Sequence, residues 1–303
     1  MIDTVLPREV WPRNETVAAV RAALAEDAVT EDLTTRWSVP AGASARAAIL
    51  AREPGVLAGL PALVEVFQQV DPAVRVETCT ADGAAVGPGT TVARLAGSAA
   101  AILTGERVAL NFLQRMSGIA TMAARLVEAV DGFGVTVLDT RKTAPGLRAL
   151  DKYAVRAGGA TNHRRDLSAM VLLKENHLTA AGGVTAAVGA VRRGIAAEQR
   201  AVTVAVEVGT VEEAREAFAA RTDWVLLDNM PLDVMREVVA LRDRSGYACR
   251  LEASGQITLE TAAAVAATGV DAMSVGALTH SVRALDLSLL LETVDSPELR
   301  DVP

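Results

Sequence analysis

Between Asp139 and Lys174 the chain gathers Arg141, Lys142, Arg148, Lys152, Arg156, His163, Arg164, Arg165 and Lys174 against Asp139, Asp151 and Asp166. The formal net charge of the whole is −7, so this is a local excess of positive charge, of the kind that holds a polyanionic ligand. Arg141, Lys142 and Lys174 stand apart because each closes a short apolar run, VTVLDTRK and MVLLKEN. Arginine forks match carboxylates and phosphates, while lysine supplies a point charge. Arg148, Lys152 and Arg156 recur at i, i+4 and read as the solvated face of a helix. Of 30 basic residues only Lys142, Lys152 and Lys174 are lysine, which marks positions where a compact ammonium is wanted.

Two carboxylates, Glu207 and Asp228, end the apolar runs VTVAVEV and WVLLDN. Facing a basic cluster they can hold Mg²⁺, which binds through one or two carboxylates plus substrate phosphates; the other reading is that they neutralise lysines. Ser254-Gly255-Gln256 and Ser274-Val275-Gly276-Ala277 follow two later runs. Glycine lets the backbone approach a phosphate, and a helix start behind it offers free N–H donors.

These residues need elements that bring them together. The spacing predicts a helix over 14–27, strands over 45–51, 74–80 and 91–97, and a helix over 61–70, hence a small α+β domain in about the first 115 residues. A long helical stretch, 98–130, follows. Beyond it six apolar runs, at 135–142, 170–176, 202–208, 224–229, 250–255 and 271–276, alternate with helical stretches at 183–197, 211–220, 231–242 and 258–267. A further strand is suspected near 158–164. Such alternation means parallel βαβ units, and the count favours an α/β barrel over an open doubly wound sheet. In a barrel the strand ends converge on one mouth, which would carry Arg141, Lys142, Lys174, Glu207, Asp228, Glu252, Ser254 and Ser274.

Composition removes other classes. A pI near 5.2 excludes a general nucleic-acid or anionic-membrane binder, which needs a broad basic surface. No apolar run approaches the roughly 20 residues of a membrane span, and residues 1–13 lack the apolar centre of an export signal. Cys79 and Cys249 have no metal or redox spacing, which suits two inert thiols in a reducing cytoplasm.

Taken in order, EDLTT (31–35), GERVALNFLQRMSGIAT (105–121), DTRKTAPGLR (139–148), NHR (162–164), LLKENH (172–177), VEV (206–208), LLDNM (226–230), LEASG (251–255) and SVGALTHS (274–281) resemble the quinolinate phosphoribosyltransferase family. The resemblance implies an N-terminal α/β sandwich over 1–115, completed by 282–303. It implies an open, TIM-like α/β barrel of about seven strands over 116–281, and a homodimer or dimer-based oligomer with shared active sites. Arg141, His163, Arg164 and Lys174, with Arg107 from a neighbouring subunit, would surround the quinolinate carboxylates. Lys142 would lie between the pyridine and phosphoribosyl pyrophosphate, and Glu207 and Asp228 would face the ribose and Mg²⁺. The turns of Ser254, Gly255 and Gln256 and of Ser274, Gly276 and Ala277 would hold the 5′-phosphate. The catalytic set is then Lys142, Glu207 and Asp228.

The chain departs from the family pattern at Glu31, Ala160 and Asp166, and at Gln256, where a third glycine is usual. If that position needs positive φ, glutamine is mildly strained there. Rival readings are a paralogue serving a molybdenum locus, a nicotinate phosphoribosyltransferase and a non-catalytic phosphate-binding barrel.

Overall fold

Residues 44–47 alternate between exposure and burial, as a period of two dictates for a strand with one face on the core, and Ala47–Ile49 are buried on both faces. In the computed structural model, which describes residues 11–295, the elements run α1 (Arg13–Glu26), α2 (Leu33–Ser38), β1 (Ser44–Ala51), β2 (Gly55–Val56), α3 (Leu60–Val70), β3 (Arg75–Thr78), β4 (Ala85–Val86), β5 (Thr91–Ser98) and α4 (Ala99–Ala129). They continue as β6 (Thr136–Leu138), α5 (Arg148–Ala157), β7 (Val171–Leu173), α6 (Glu175–Ala181), α7 (Val184–Glu198), β8 (Val204–Val208) and α8 (Val211–Ala219). The last are β9 (Trp224–Asp228), α9 (Leu232–Ser245), β10 (Arg250–Ser254), α10 (Leu259–Ala266), β11 (Ala272–Ser274), α11 (Ala277–His280) and β12 (Leu287–Asp295). The start of the chain, read above as no export signal, and residues 296–303, expected with the first domain, lie outside the described residues. No helix among the described residues is long and apolar enough to cross a membrane.

The chain divides into two compact units. The first comprises Met1–Ala124, Thr143–Gly159 and Val282–Pro303, the second Arg125–Lys142 and Ala160–Ser281. A single boundary between residues 115 and 116 does not describe this division. The segment carrying α5 groups with the first unit because Asp151, wholly buried, takes a bidentate pair from Arg115 on α4, Nε to Oδ1 at 3.0 Å and Nη2 to Oδ2 at 2.8 Å. Lys152 beside it is 1% exposed, so the expected solvated face of α5 keeps Arg148 and Arg156 at its margin but loses its middle lysine to the interior.

In the first unit the antiparallel order is β12-β1-β5-β3. β12 pairs along β1 from Ser44 opposite Asp295 to Ala51 opposite Leu287. α3 has proline in its first turn and buries Leu60, Ala62, Leu63, Val66 and Phe67, a helical stripe. Small residues let α4 meet its neighbours. A Cβ added at Gly105 would stand 2.7 Å from the Phe67 ring, and one at Gly118 would stand 2.2 Å from the Arg283 carbonyl oxygen.

The second unit is a parallel sheet of order β6-β11-β10-β9-β8-β7. Its strands are the six apolar runs, near-continuously buried as parallel strands are. The suspected seventh strand is reduced to one bridge, Thr161 to Leu138. Past Thr161 the chain leaves the ladder because the His163 N–H turns to the Asp139 carboxylate at 2.7 Å instead of a strand carbonyl. Residues that follow β6 and residues of β7, at the two ends of the order, line one cavity with those of β8 to β10, which requires the sheet to curl into an open barrel.

Gly118→Ala forces a methyl into a backbone carbonyl, and overpacking of this kind costs roughly 1–3 kcal/mol. Urea unfolding should show that loss. An unchanged midpoint would mean that α4 and Arg283 do not approach so closely in solution.

Candidate active site

The strand ends of the second unit surround a cavity of ≈ 630 Å³. Its walls follow the sheet order. Arg141 and Lys142 come after β6, Ser274 ends β11, Ser254, Gly255 and Gln256 end β10, Asp228 and Asn229 end β9, Glu207 sits on β8 and Lys174 follows β7. Registry sets Asp228 opposite Ser254 and Ser254 opposite Ser274, so acids and phosphate-type turns are contiguous along one side of the rim.

His163 and Arg164 enter beside β6, held by Asp139. This wholly buried carboxylate accepts the His163 N–H at Oδ1 and the Asn162 side-chain amide at Oδ2, both at 2.7 Å. Arg164 is 8% exposed and donates one Nη1–H to the Met170 carbonyl at 3.0 Å. Burial first, and the neighbouring Arg141 charge second, push its guanidinium below the ordinary arginine value, although a guanidinium stays charged in a protein. The Arg141 Nε is buried without a hydrogen-bond partner. Two crowded guanidiniums, one lacking an acceptor, make a binding position for a ligand with more than one negative charge.

The Lys174 ammonium bonds the Glu207 carboxylate. Lys142 is exposed, and only its backbone is tied down, the N–H to Thr140 Oγ1 at 3.0 Å and the carbonyl to the Thr279 hydroxyl at 2.9 Å. Its ammonium is thus available to a ligand. Asp228 Oδ2 accepts from the Asn229 side-chain amide at 2.9 Å.

Of the residues expected at the site, the structure brings Arg141, Lys142, His163, Arg164, Lys174, Glu207, Asp228, Ser254, Gly255, Gln256 and Ser274 to this cavity. Gly276 and Ala277 are not in its wall. Gly276 packs instead against the Lys142 stem, where an added Cβ would lie 3.2 Å from Cδ, and Ala277 begins the four-residue helix α11. Arg107 is exposed on α4 in the first unit and lines no part of the cavity. His163 lines the cavity, yet its ring nitrogens are directed elsewhere, Nδ1 accepting the Arg164 N–H at 2.7 Å and Nε2 lying 3.3 Å from the Glu252 carboxylate. Asp139 and Asn229 were not assigned a place in the site by sequence. The signal for Asp139 was its position at the end of the first barrel run; Asn229 carried none beyond adjacency to Asp228.

The β10 turn is strained. Gly255 has φ +97, Gln256 φ 48 and Asn229 φ 52, and a Cβ at Gly255 would meet Asn229 Oδ1 at 2.3 Å. Gln256 thus adopts the positive φ on which the strain named above was conditional. Gly255→Ala should cost on the order of 1–3 kcal/mol. Gln256→Gly should shift stability by less than about 1 kcal/mol, because relief of strain is offset by a freer unfolded chain. Equal costs in denaturant unfolding would refute this account of the turn.

Comparison with known proteins agrees with this geometry. The model of the quinolinate phosphoribosyl transferase N-terminal domain matches residues 32–117 and that of the C-terminal domain matches residues 119–290. The probable nicotinate-nucleotide pyrophosphorylase [carboxylating] of Bacillus subtilis is 43% identical over 264 residues, covering 87% of this chain and 89% of the relative. The chloroplastic nicotinate-nucleotide pyrophosphorylase [carboxylating] of Oryza sativa subsp. japonica is 41% identical over 295 residues, covering 93% and 79%. The solved nicotinate-nucleotide pyrophosphorylase of Francisella tularensis superposes with a TM-score of 0.87 at 37% identity, covering 94% of this chain and 98% of that one. With both domain models matched in order and the basic, acidic and glycine-rich strand ends converging on one cavity, the chain belongs to the quinolinate phosphoribosyltransferase family.

Proposed function

We propose that this protein is a quinolinate phosphoribosyltransferase, joining quinolinate to phosphoribosyl pyrophosphate to give nicotinate mononucleotide, pyrophosphate and carbon dioxide in NAD biosynthesis. The observation that carries the reading is the pair Arg141 and Arg164, neighbouring charges of which Arg164 is buried and Arg141 has a buried Nε without a hydrogen-bond partner, which suits a dicarboxylate better than a monocarboxylate.

In this reading Arg141, Arg164 and Lys174 clamp the two carboxylates and aim the ring nitrogen at ribose C1, a contribution of positioning. Lys142 stabilises the charge that develops between ring and pyrophosphate. Ser254, Gly255, Gln256 and Ser274 receive the 5′-phosphate. Breaking the bond from C1 to pyrophosphate leaves an oxocarbenium-like centre, which the Glu207 and Asp228 carboxylates face. Once the nitrogen is alkylated its positive charge eases loss of the adjacent carboxylate, so no protein nucleophile is required.

Among the described residues no group of three or more His, Cys, Asp or Glu side chains could hold a metal alone. Two carboxylates on adjoining strands fit an ion that arrives with phosphate ligands, and Glu207 and Asp228 would be its protein side. Bound there, Mg²⁺ would neutralise charge on the departing pyrophosphate. Cys79 and Cys249 are free thiols, in keeping with a cytoplasmic setting.

Carbon dioxide release from quinolinate with phosphoribosyl pyrophosphate and Mg²⁺ tests the function directly. Quinolinate should be strongly preferred to nicotinate, since each lost charge-assisted contact costs on the order of 1.5–3 kcal/mol. Equal turnover of the two acids would rule out this pocket assignment and favour a nicotinate enzyme.

The exposed position of Arg107 outside the cavity wall supports delivery of that residue to a neighbour's substrate in a homodimer, whose symmetric interface can exchange it reciprocally. Inactive Arg107→Ala and Lys142→Ala proteins, mixed and allowed to exchange subunits, should regain up to about a quarter of wild-type activity, since half the dimers carry one intact site of two. No recovery despite exchange seen by mass spectrometry would confine Arg107 to its own chain.

A further inference from the structure

Thr279 lies on α11, buried and outside the cavity wall, and its hydroxyl donates to the Lys142 carbonyl at 2.9 Å. The reach follows from topology. β11 pairs with β6 so that Ser274 stands opposite Leu138, and the Val275 N–H bonds the Leu138 carbonyl at 2.9 Å. The helical turn that starts after β11 is thereby brought to the irregular segment that leaves β6 with Lys142. On the other side of the same Cα, the Lys142 N–H bonds Thr140 Oγ1 at 3.0 Å. Peptide groups are planar, so tying the one before Lys142 and the one after it fixes both of its backbone torsions. The direction in which the side chain departs is fixed with them.

The stem of the lysine is bounded by the same turn. Gly276 has φ −64° and ψ −32°, a conformation open to any residue, so glycine is there for room. A Cβ on it would lie 3.2 Å from Lys142 Cδ and 3.0 Å from the His280 Cδ2 and Nε2 atoms. The stem therefore occupies a notch that the missing side chain leaves. Gly276 and Thr279 are linked directly, the Thr279 N–H bonding the Gly276 carbonyl at 3.1 Å. A free lysine side chain has more rotamer freedom than most, yet here backbone and stem are both held while the ammonium stays available to a ligand. We propose that Thr279 is a positioning residue for the reaction, aiming the Lys142 ammonium, through the lysine's own backbone, at the charge that develops between ring and pyrophosphate. This rests on the role given to Lys142 above and deepens it. Thr279 itself touches no substrate.

Thr279→Val keeps the shape and removes the hydroxyl. The single-turnover rate of pyrophosphate release should fall about tenfold or more, since slight misplacement of a catalytic group costs up to about a hundredfold. Quinolinate affinity, measured by calorimetry without phosphoribosyl pyrophosphate, should stay within about twofold, and Thr279→Ser, which restores a donor, should bring the rate back to within about threefold of wild type. In a Lys142→Ala background the same Thr279→Val change should slow the residual reaction by less than about twofold, because a residue acting through Lys142 has nothing left to position. A Thr279→Val protein as fast as wild type would overturn the proposal, and so would an equal fall in both backgrounds. Quinolinate affinity lost together with rate, or Thr279→Ser as slow as Thr279→Val, would assign Thr279 to the fold and overturn it too. Thr279→Ala, which leaves space for water at the Lys142 carbonyl, takes the place of the valine variant should that one not fold, and failure of both to fold is again the structural outcome. A wild-type protein that releases no carbon dioxide from quinolinate would instead overturn the function proposed for it.

Discussion

The wholly buried carboxylate of Asp139 does for residues 160–164 what a strand ladder does elsewhere in the barrel. Backbone bonds tie Thr161 to β6, its N–H to Val137 and its carbonyl to the Asp139 N–H. From there the two oxygens of one side chain take over, accepting from the His163 backbone and the Asn162 amide. A buried carboxylate costs free energy unless donors surround it, so the conformation of this segment and the burial of Asp139 support each other. That tie sets the direction of His163, whose Nδ1 accepts the next N–H, that of Arg164.

The charges in the cavity are arranged as opposed walls rather than as neutralised pairs. Arg141 and Arg164 are crowded against each other, a state that a folded protein tolerates when a ligand supplies the missing negative charge. Lys174 is paired with Glu207. That side chain is 47% exposed, so the pair is screened by solvent and contributes little to stability. A carboxylate ligand can therefore compete for the ammonium at low cost. Drawing Lys174 away would uncover Glu207 on the rim strand next to Asp228, which couples occupation of the basic wall to availability of the acidic one.

Strand ends were legible in the sequence because apolar runs that stop at a charge keep their meaning in any parallel barrel. Each of the six runs became a strand, and the charges that end them line one cavity. Less legible were features decided by tertiary geometry. The NHR segment looks like a strand by composition, but a side-chain acceptor on Asp139 competes with the ladder. Lys152 sits at an i, i+4 position that reads as solvated, yet α5 turns Asp151 and Lys152 inward because Arg115 on a distant helix takes the aspartate. His163 reads as one more cation for the ligand, whereas its ring nitrogens are directed to the Arg164 N–H and the Glu252 carboxylate. No spacing rule could have found that, since it depends on which way one imidazole faces.

The three lysines show how far rarity in a sequence can be trusted as a guide to chemistry. Lys142 has an ammonium available at the cavity rim, and Lys174 has one shared with a rim carboxylate. For both, a flexible point charge is an advantage over a rigid fork, because the partner changes as a ligand arrives. Lys152 is 1% exposed inside the first unit, where ligand charge plays no part. Scarcity thus marked two lysines at the cavity and one in the interior, and burial is what separates them.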